Sequence, residues 1–116
     1  GRMADMRKVA AVFGGAGFIG RQVVQLLARE DYVVRVCARN TARARTLNTV
    51  GRPGQLVPLA ADVTDEAGVR RAVEEARVVV NCVGILHGDF ERVQAEGPAR
   101  IGRLAAAAGV GRVVHI

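Results

Sequence analysis

The stretch Lys8-Val-Ala-Ala-Val-Phe13-Gly14-Gly-Ala-Gly17-Phe-Ile-Gly20 decides the fold of this chain. Its first six residues form a short apolar run ended by glycines, which predicts a buried β-strand. The glycines Gly14, Gly17 and Gly20 then follow with the spacing GxxGxxG. From Phe18 to Arg29 the apolar residues recur at helical spacing, so the sequence predicts a strand, a glycine-rich turn and a helix in direct succession.

A turn of this kind is typical of sites that bind a dinucleotide pyrophosphate. Gly14 would permit the tight turn, Gly17 would let the pyrophosphate approach the backbone, and Gly20 would let the helix pack close to the strand. The helix start at Phe18 and Ile19 would then direct its N–H groups and its positive dipole end at the phosphates. The alternative is a strand-to-helix turn whose glycines serve packing alone. No Gly-Lys-Ser/Thr sequence follows, which argues against a phosphate-loop NTPase.

Strand and helix patterns alternate along the rest of the chain. Such alternation predicts an α/β fold, a Rossmann-type doubly wound parallel sheet with right-handed crossovers. We expect residues 1–7 to be an N-terminal extension, and residues 8–116 to be the front five strands of a longer domain, because a core strand needs a covering helix. The further predicted strands are Tyr32–Ala38, Gln55–Ala60, Arg77–Val83 and Arg112–Ile116, and the further predicted helices are Asn40–Thr49, a segment from a cap at Thr64 or Asp65 through Ala76, and Phe90–Ala108.

The composition excludes several classes of function. The chain has 116 residues and a net charge of +6, with scattered basic residues and almost no aromatic ones, which argues against nucleic-acid binding. Cys37 and Cys82 stand in Val-rich runs and are interpreted as small buried strand residues in a reducing compartment, with no metal site. No apolar stretch approaches the length of a membrane span.

Candidate cofactor contacts follow the second, third and fourth predicted strands. Where a domain that prefers NAD has an acid, this chain has Arg39, which could bind a 2′-phosphate, with Arg21 as a second contact. Alternatively, Arg39 is one more surface arginine. Asp62 is placed to accept from an adenine amino group, or it is a loop acid before a helix. The segment Asn81-Cys-Val83-Gly84 would pass beneath the ribose, since Gly84 suits close backbone approach.

These motifs together resemble the extended and atypical short-chain dehydrogenase/reductase superfamily. A narrower set of motifs is similar to the nucleotide-binding accessory subunit of respiratory complex I and its bacterial homologues. The motifs that carry the narrower resemblance are Val12–Arg21, Gly54-Gln-Leu56, Val80-Asn-Cys-Val-Gly-Ile-Leu86, Phe90-x-x-Val-Gln94, Glu96-Gly97 and Gly109–Ile116.

The resemblance implies bound NADP(H), with NAD(H) as the alternative, Arg39 near the 2′-phosphate, and Asp62 and Val63 at the adenine. It implies that the partners are subunits of a larger membrane-bound respiratory complex. The location would be peripheral, on the cytoplasmic side of a bacterial membrane or the matrix side of the mitochondrial inner membrane.

Catalytic residues are not assigned in this chain. Active members of the superfamily use a Ser after the fifth strand and a Tyr-x-x-x-Lys pair, whereas this chain has no Ser and its single tyrosine, Tyr32, precedes Val36 by four residues. We therefore expect a non-catalytic accessory subunit that holds the nucleotide as a structural or regulatory ligand. The alternatives are an NAD(P)-dependent reductase, epimerase or dehydratase whose catalytic residues lie beyond Ile116, and a nucleotide-sensing regulator.

Overall fold

The computed structural model describes residues 8–42, 52–83 and 90–116, and its strands form one parallel sheet. The sheet order is β3-β2-β1-β4-β5, and every neighbouring pair is parallel. This order confirms the predicted Rossmann-type doubly wound sheet. In chain order the elements are β1 (Val9–Phe13), α1 (Phe18–Arg29), β2 (Val33–Ala38), β3 (Leu56–Ala60), α2 (Glu66–Val73), β4 (Val78–Asn81), α3 (Phe90–Ala107) and β5 (Arg112–His115).

The two faces of the sheet carry separate cores, because successive residues of a strand point to opposite faces. On one face, Val12 of β1 packs with Val24 and Ala28 of α1. On the other face, Phe13 packs with side chains of α2 and α3, among them Ile101. All of these residues are buried. The strand order therefore reverses at β1, and the helices that cover the sheet change there from one face to the other. This reversal places a crevice at the carboxyl ends of β1 and β4.

The element bounds agree closely with the sequence prediction, and α1 has the predicted limits. The prediction for α2 was wrong at its end, which falls at Val73 rather than Ala76. The chain leaves the helical conformation at Glu74, with a ψ of 123°, and at Glu75, with a φ of +59°. Arg35 Nη1 of β2 donates to the carbonyl oxygens of Ala72 at 2.8 Å and of Glu74 at 2.5 Å, and so satisfies carbonyl groups at this end of the helix.

Strand β4 is shorter than predicted and ends at Asn81, since the Asn81 side-chain oxygen accepts from the backbone N–H of Val83 at 3.0 Å. The predicted helix Asn40–Thr49 lies almost wholly outside the described residues. Its cap position is visible, because Asn40 Oδ1 accepts from the backbone N–H of Ala42 at 2.8 Å.

Both cysteines are buried and free, as the sequence predicted. Burial raises the pKa of the Cys37 thiol to about 12, and it also raises the pKa of Cys82. Gln55 is one of two buried polar residues in the described part of the chain, with Asn81, and its Nε2 donates to the carbonyl oxygens of Ala28 at 2.6 Å and Tyr32 at 3.0 Å. It therefore ties the end of α1 to the loop between α1 and β2 and to the beginning of β3.

Strand β3 forms an edge of the described sheet and contains Pro58. The backbone O of Gln55 accepts from Val34, and the backbone N of Ala61 donates to Ala38. Odd-numbered residues of this segment therefore direct their backbone groups toward β2, and Pro58 faces the free edge.

Across the described ranges, none of the helices has the length and hydropathy that a membrane crossing requires.

Candidate dinucleotide site

A cavity of about 300 Å³ opens at the carboxyl ends of β1, β2 and β3. This is the edge of a doubly wound sheet at which ligands bind, beside the point where the strand order reverses. Six of the residues that line the cavity were predicted from the sequence to contact the cofactor. They are Gly14, Gly17, Arg39, Asp62, Val63 and Val83. The cavity is also lined by Ala16, Cys37, Ala38, Asn40, Ala61 and Thr64.

The glycines of the turn have different surroundings. Gly14 has a φ of +76°, a left-handed conformation that disfavours other residues, and a Cβ there would lie 3.2 Å from the backbone of Cys82. A Cβ on Gly20 would lie 2.0 Å from the carbonyl oxygen of Gly14, so Gly20 lets α1 pack against the turn. A Cβ on Gly17 would meet only the Gly14 oxygen, at 3.4 Å. Packing inside the fold therefore does not require glycine at position 17. A side chain at this position would lie at the wall of the cavity.

Helix α1 begins without a side-chain cap. Gly17 is the N-cap residue in an extended conformation, no side chain accepts from the first turn, and the first turn contains no acidic residue. The first N–H groups of a helix have no partner within the helix, and they carry the positive end of its dipole. Because Gly17 lines the cavity, this end of the helix offers hydrogen-bond donors to an anion there.

Arg39 and Asp62 form an ion pair at the side of the cavity. Arg39 follows β2, Asp62 lies just beyond β3, and Arg39 Nε lies 2.9 Å from Asp62 Oδ2. The Arg39 side chain is 74% exposed, whereas that of Asp62 is 26% exposed. The second carboxylate oxygen, Oδ1, accepts from the backbone N–H of Thr64 at 3.0 Å. Asp62 is therefore held by its own loop, and its contact orients the guanidinium.

The loop after β3 is also fixed from α3. Arg100 Nη1 donates to the carbonyl oxygen of Val63 at 2.7 Å, and the Val63 side chain is buried against the core. Gly97 of α3 makes room for this valine, since a Cβ there would lie 3.3 Å from Val63 Cγ2. These contacts give the Asp62–Val63 wall of the cavity a defined position.

The structure brings part of the predicted set together. Phe18, Ile19, Gly20 and Arg21 lie in the first turn of α1, and their side chains do not line the cavity. Phe18 and Arg21 are exposed, while Ile19 packs toward the core on the α1 side. Gly84 lies outside the described residues. Sequence reasoning missed Asn40 and Thr64, although each directly follows a predicted contact and so shares its loop.

A second, smaller cleft of about 290 Å³ adjoins the ends of β4 and β5. It is lined by Asn81, Val83, Pro98, His115 and Ile116. The Asn81 amide nitrogen lies 3.2 Å from His115 Nδ1. Among the residues that the structure describes, no three His, Cys, Asp or Glu side chains cluster in a way that could hold a metal ion.

A parallel doubly wound sheet, with a glycine turn and an uncapped helix at its switch point, defines a dinucleotide-binding domain of the Rossmann class. Residues 14–116 match the sequence profile of a family described as NAD(P)H-binding. The chain belongs to this NAD(P)H-binding family.

Two known relatives show more closely which proteins this chain is similar to. The chain is 36% identical, over 121 residues and 100% of its length, to the rat (Rattus norvegicus) mitochondrial NADH dehydrogenase (ubiquinone) 1 alpha subcomplex subunit 9. It is 39% identical over 88 residues, 69% of its length, to the human (Homo sapiens) 3-oxoacyl-(acyl-carrier-protein) reductase. The chain spans 32% of the rat protein and 36% of the human one.

The fold is shared with solved structures. A crystal structure titled ribose-5-phosphate isomerase from Brucella melitensis 16M superimposes with a TM-score of 0.77 and 25% identity. The match covers 97% of this chain and 52% of that one. The likeness supports the Rossmann-type architecture of the five-stranded sheet.

Proposed function

We propose that this chain is the nucleotide-binding part of an accessory, non-catalytic subunit of respiratory complex I, with NADP(H) as a structural or regulatory ligand. The observation that carries the proposal is the 36% identity to the rat complex I subunit across the whole chain. The partners are then the other subunits of a membrane-bound respiratory complex. The location is peripheral, on the matrix side of the mitochondrial inner membrane or the cytoplasmic side of a bacterial one.

The cavity fits the phosphate and adenosine end of such a nucleotide. The uncapped start of α1 offers N–H donors to the pyrophosphate, and the open side of Gly17 leaves room for it. Asp62 and Val63 line the wall at which the adenine would lie. Val83 lines the wall beneath the expected position of the ribose, and Gly84, the next residue in the chain, is a further candidate contact there. Arg21, one turn into α1, is a candidate second contact to the 2′-phosphate.

Arg39 supports NADP(H) over NAD(H). Its guanidinium lines the cavity at the end of β2, where a carboxylate would bind the 2′-hydroxyl of NAD and repel a 2′-phosphate. Arg39 Nε lies 2.9 Å from Asp62 Oδ2, and the two Nη groups donate to none of the residues that the structure describes, so they could make a two-pronged contact to a phosphate.

The first prediction is that the protein binds NADPH more tightly than NADH. The substitution Arg39→Asp should weaken NADPH binding by about 1.5–3 kcal/mol, because a charge-assisted hydrogen bond to the 2′-phosphate is lost. It should have little effect on NADH binding. Titration of both nucleotides by fluorescence measures this. Arg52→Asp is a matched control, since Arg52 makes an equally short ion pair, at 2.9 Å, with Asp31 away from the cavity. Equal affinities of the parent protein for both nucleotides would contradict the assignment.

Few of the described residues that line the cavity can titrate. They are Arg39 and Asp62, which form an ion pair, and Cys37, whose pKa is raised to about 12 by burial. General acid–base catalysis needs a group whose pKa lies near the working pH. A bound nicotinamide would supply hydride chemistry, and the described residues of this cavity would bind and orient the nucleotide.

The second prediction concerns the intact protein. It should co-purify with a respiratory assembly, retain NADP(H), and melt at a lower temperature once the nucleotide is removed, because a ligand specific to the folded state stabilises it by about 2.7 kcal/mol at a hundredfold excess over Kd. Melting curves with and without nucleotide measure the effect.

The competing function is an NAD(P)-dependent reductase, and the human reductase among the relatives favours it. The same preparation separates the two, through NADPH oxidation followed at its near-ultraviolet absorbance with small carbonyl and sugar-nucleotide substrates. We expect no sustained turnover. Steady multiple turnovers with any such substrate would overturn the accessory-subunit proposal in favour of the enzyme.

A further inference from the structure

We propose that Asp62 strengthens the preference for a 2′-phosphorylated nucleotide by holding Arg39 in position, which makes it a positioning residue for the arginine. This inference rests on the proposed NADP(H) binding and goes beyond it. Asp62 would otherwise be assigned only a contact to the adenine.

The first step of the argument is the freedom of Arg39. Its side chain is 74% exposed, and an exposed arginine loses considerable rotamer entropy when it is fixed on a ligand. The 2.9 Å contact from Nε to Asp62 Oδ2 restricts that freedom before any nucleotide binds. A side chain that is already ordered loses less entropy on binding, so its contact with the phosphate is stronger.

The second step is the rigidity of Asp62. Its Oδ1 accepts from the backbone N–H of Thr64, and the next residue, Val63, is held through its carbonyl by Arg100 of α3. Val63 is itself only 4% exposed. The carboxylate is therefore the fixed partner of the pair, and it decides where the guanidinium lies.

The third step is the part of the guanidinium that Asp62 contacts. The carboxylate forms its ion pair at Nε, the inner nitrogen of the group, and the described residues accept no hydrogen bond from either Nη group, so both can serve a ligand. Paired N–H groups of a guanidinium match the oxygens of a phosphate in a two-pronged contact. The ion pair thus orders Arg39 without occupying the donors that a 2′-phosphate needs.

Asp62→Asn is the decisive variant because Oδ1 can still accept from Thr64 while the other atom becomes an amide nitrogen. An amide carries no negative charge and its nitrogen only donates, so the ion pair with Arg39 is lost while the contact within the loop is kept. Asp62→Ser is a second variant, since its hydroxyl can also accept from Thr64 but is too short to reach Arg39.

The experiment is a double-mutant cycle, in the intact protein, on Asp62→Asn and Arg39→Met, with Kd measured for NADPH and for NADH. These probes differ only in the 2′-phosphate. We expect Asp62→Asn or Asp62→Ser to lower the NADPH preference about threefold, as suits a largely exposed ion pair. In the Arg39→Met background, Asp62→Asn should leave the remaining preference unchanged. Asp31→Asn, which breaks the Asp31–Arg52 pair, is the matched control and should leave both Kd values unchanged.

Two results would overturn the inference alone. One is a parent that prefers NADPH and an Asp62→Asn variant that keeps or increases this preference. The other is an equal loss of NADPH and NADH affinity in both backgrounds, which is the signature of an adenine contact. A parent that binds both nucleotides equally overturns the proposed NADP(H) preference and this inference with it.

Discussion

Helices α1 and α2 both begin near the carboxyl edge of the sheet, and they begin in opposite ways. At α2 the Asp65 side chain accepts from the backbone N–H of Ala67 at 3.2 Å, and Glu66 adds a negative charge in the first turn. At α1 the cap is Gly17, with no side-chain acceptor and no acid. A glycine N-cap is only a few tenths of a kcal/mol less stabilising than an aspartate, so the two helix starts differ mainly in whether their N–H groups already have an acceptor. Under the proposed function, the start of α1 is the one that takes an anionic ligand.

The largest expected effect comes from filling the open position at α1. Gly17→Val places a branched side chain where the pyrophosphate would lie, and we expect a loss of about 3 kcal/mol or more in NADPH binding, since charge-assisted hydrogen bonds are lost. The secondary structure should persist, because a Cβ at position 17 meets only one atom, at 3.4 Å. Nucleotide titration and circular dichroism measure the two effects.

Gly20→Ala is the control for that experiment. Its Cβ would lie 2.0 Å from the Gly14 carbonyl oxygen, so the backbone must move and the fold itself should be destabilised. If Gly17→Val unfolds the protein as severely as Gly20→Ala does, Gly17 serves packing and the comparison between the two helix starts fails.

A smaller effect is expected at the capped helix. Asp65→Ala removes the acceptor of α2 and should lower the free energy of unfolding by about 1 kcal/mol, while Asp65→Asn should keep most of it because asparagine also caps. Chemical denaturation measures the stability. Neither variant should change the Kd for NADPH. A substantial change in affinity from either one would show that the start of α2 also serves the ligand.

The smallest expected effect is a pH dependence that arises from the contact between α2 and α3. Arg103 donates to Glu66 and, by this bond and its charge, lowers the pKa of that carboxyl, with Arg70 and Arg100 contributing. A carboxyl whose folded pKa lies below the unfolded value of about 4.3 stabilises the protein above that pH, and the contribution is lost as the pH falls through the folded pKa. The stability difference between the parent and Glu66→Gln should therefore shrink toward zero on acidification, as followed by denaturation at several pH values. A difference that stays constant down to acid pH would argue against this role of Glu66.

The sequence predicted most of the elements because their signals are local. Apolar spacing over a few residues set the limits of α1, and the glycine turn indicated the nucleotide and its place in the fold. The same spacing placed Arg39, Asp62 and Val83 after their strands, and all three line the cavity.

The contacts that escaped prediction join residues far apart in the chain. Arg35 donates to carbonyl groups at the end of α2 that lie 37 and 39 positions away in the chain, and nothing near Val73 in the sequence marks that end. The Arg39–Asp62 pair depends on β2 lying beside β3 in a register that sets Ala38 opposite Ala60. Spacing along the chain identified these residues one at a time, and only the strand order shows that they meet.

Pro58 has a consequence for self-association. An exposed edge strand can recruit a strand from a second molecule, which is a route to aggregation. Pro58 lies at the middle of the five-residue strand β3, faces away from β2 toward the side where the described residues place no further strand, and has no N–H to donate. An incoming strand would lose a hydrogen bond at the centre of its pairing, so this edge resists intermolecular sheet growth although Val57 beside it is 40% exposed.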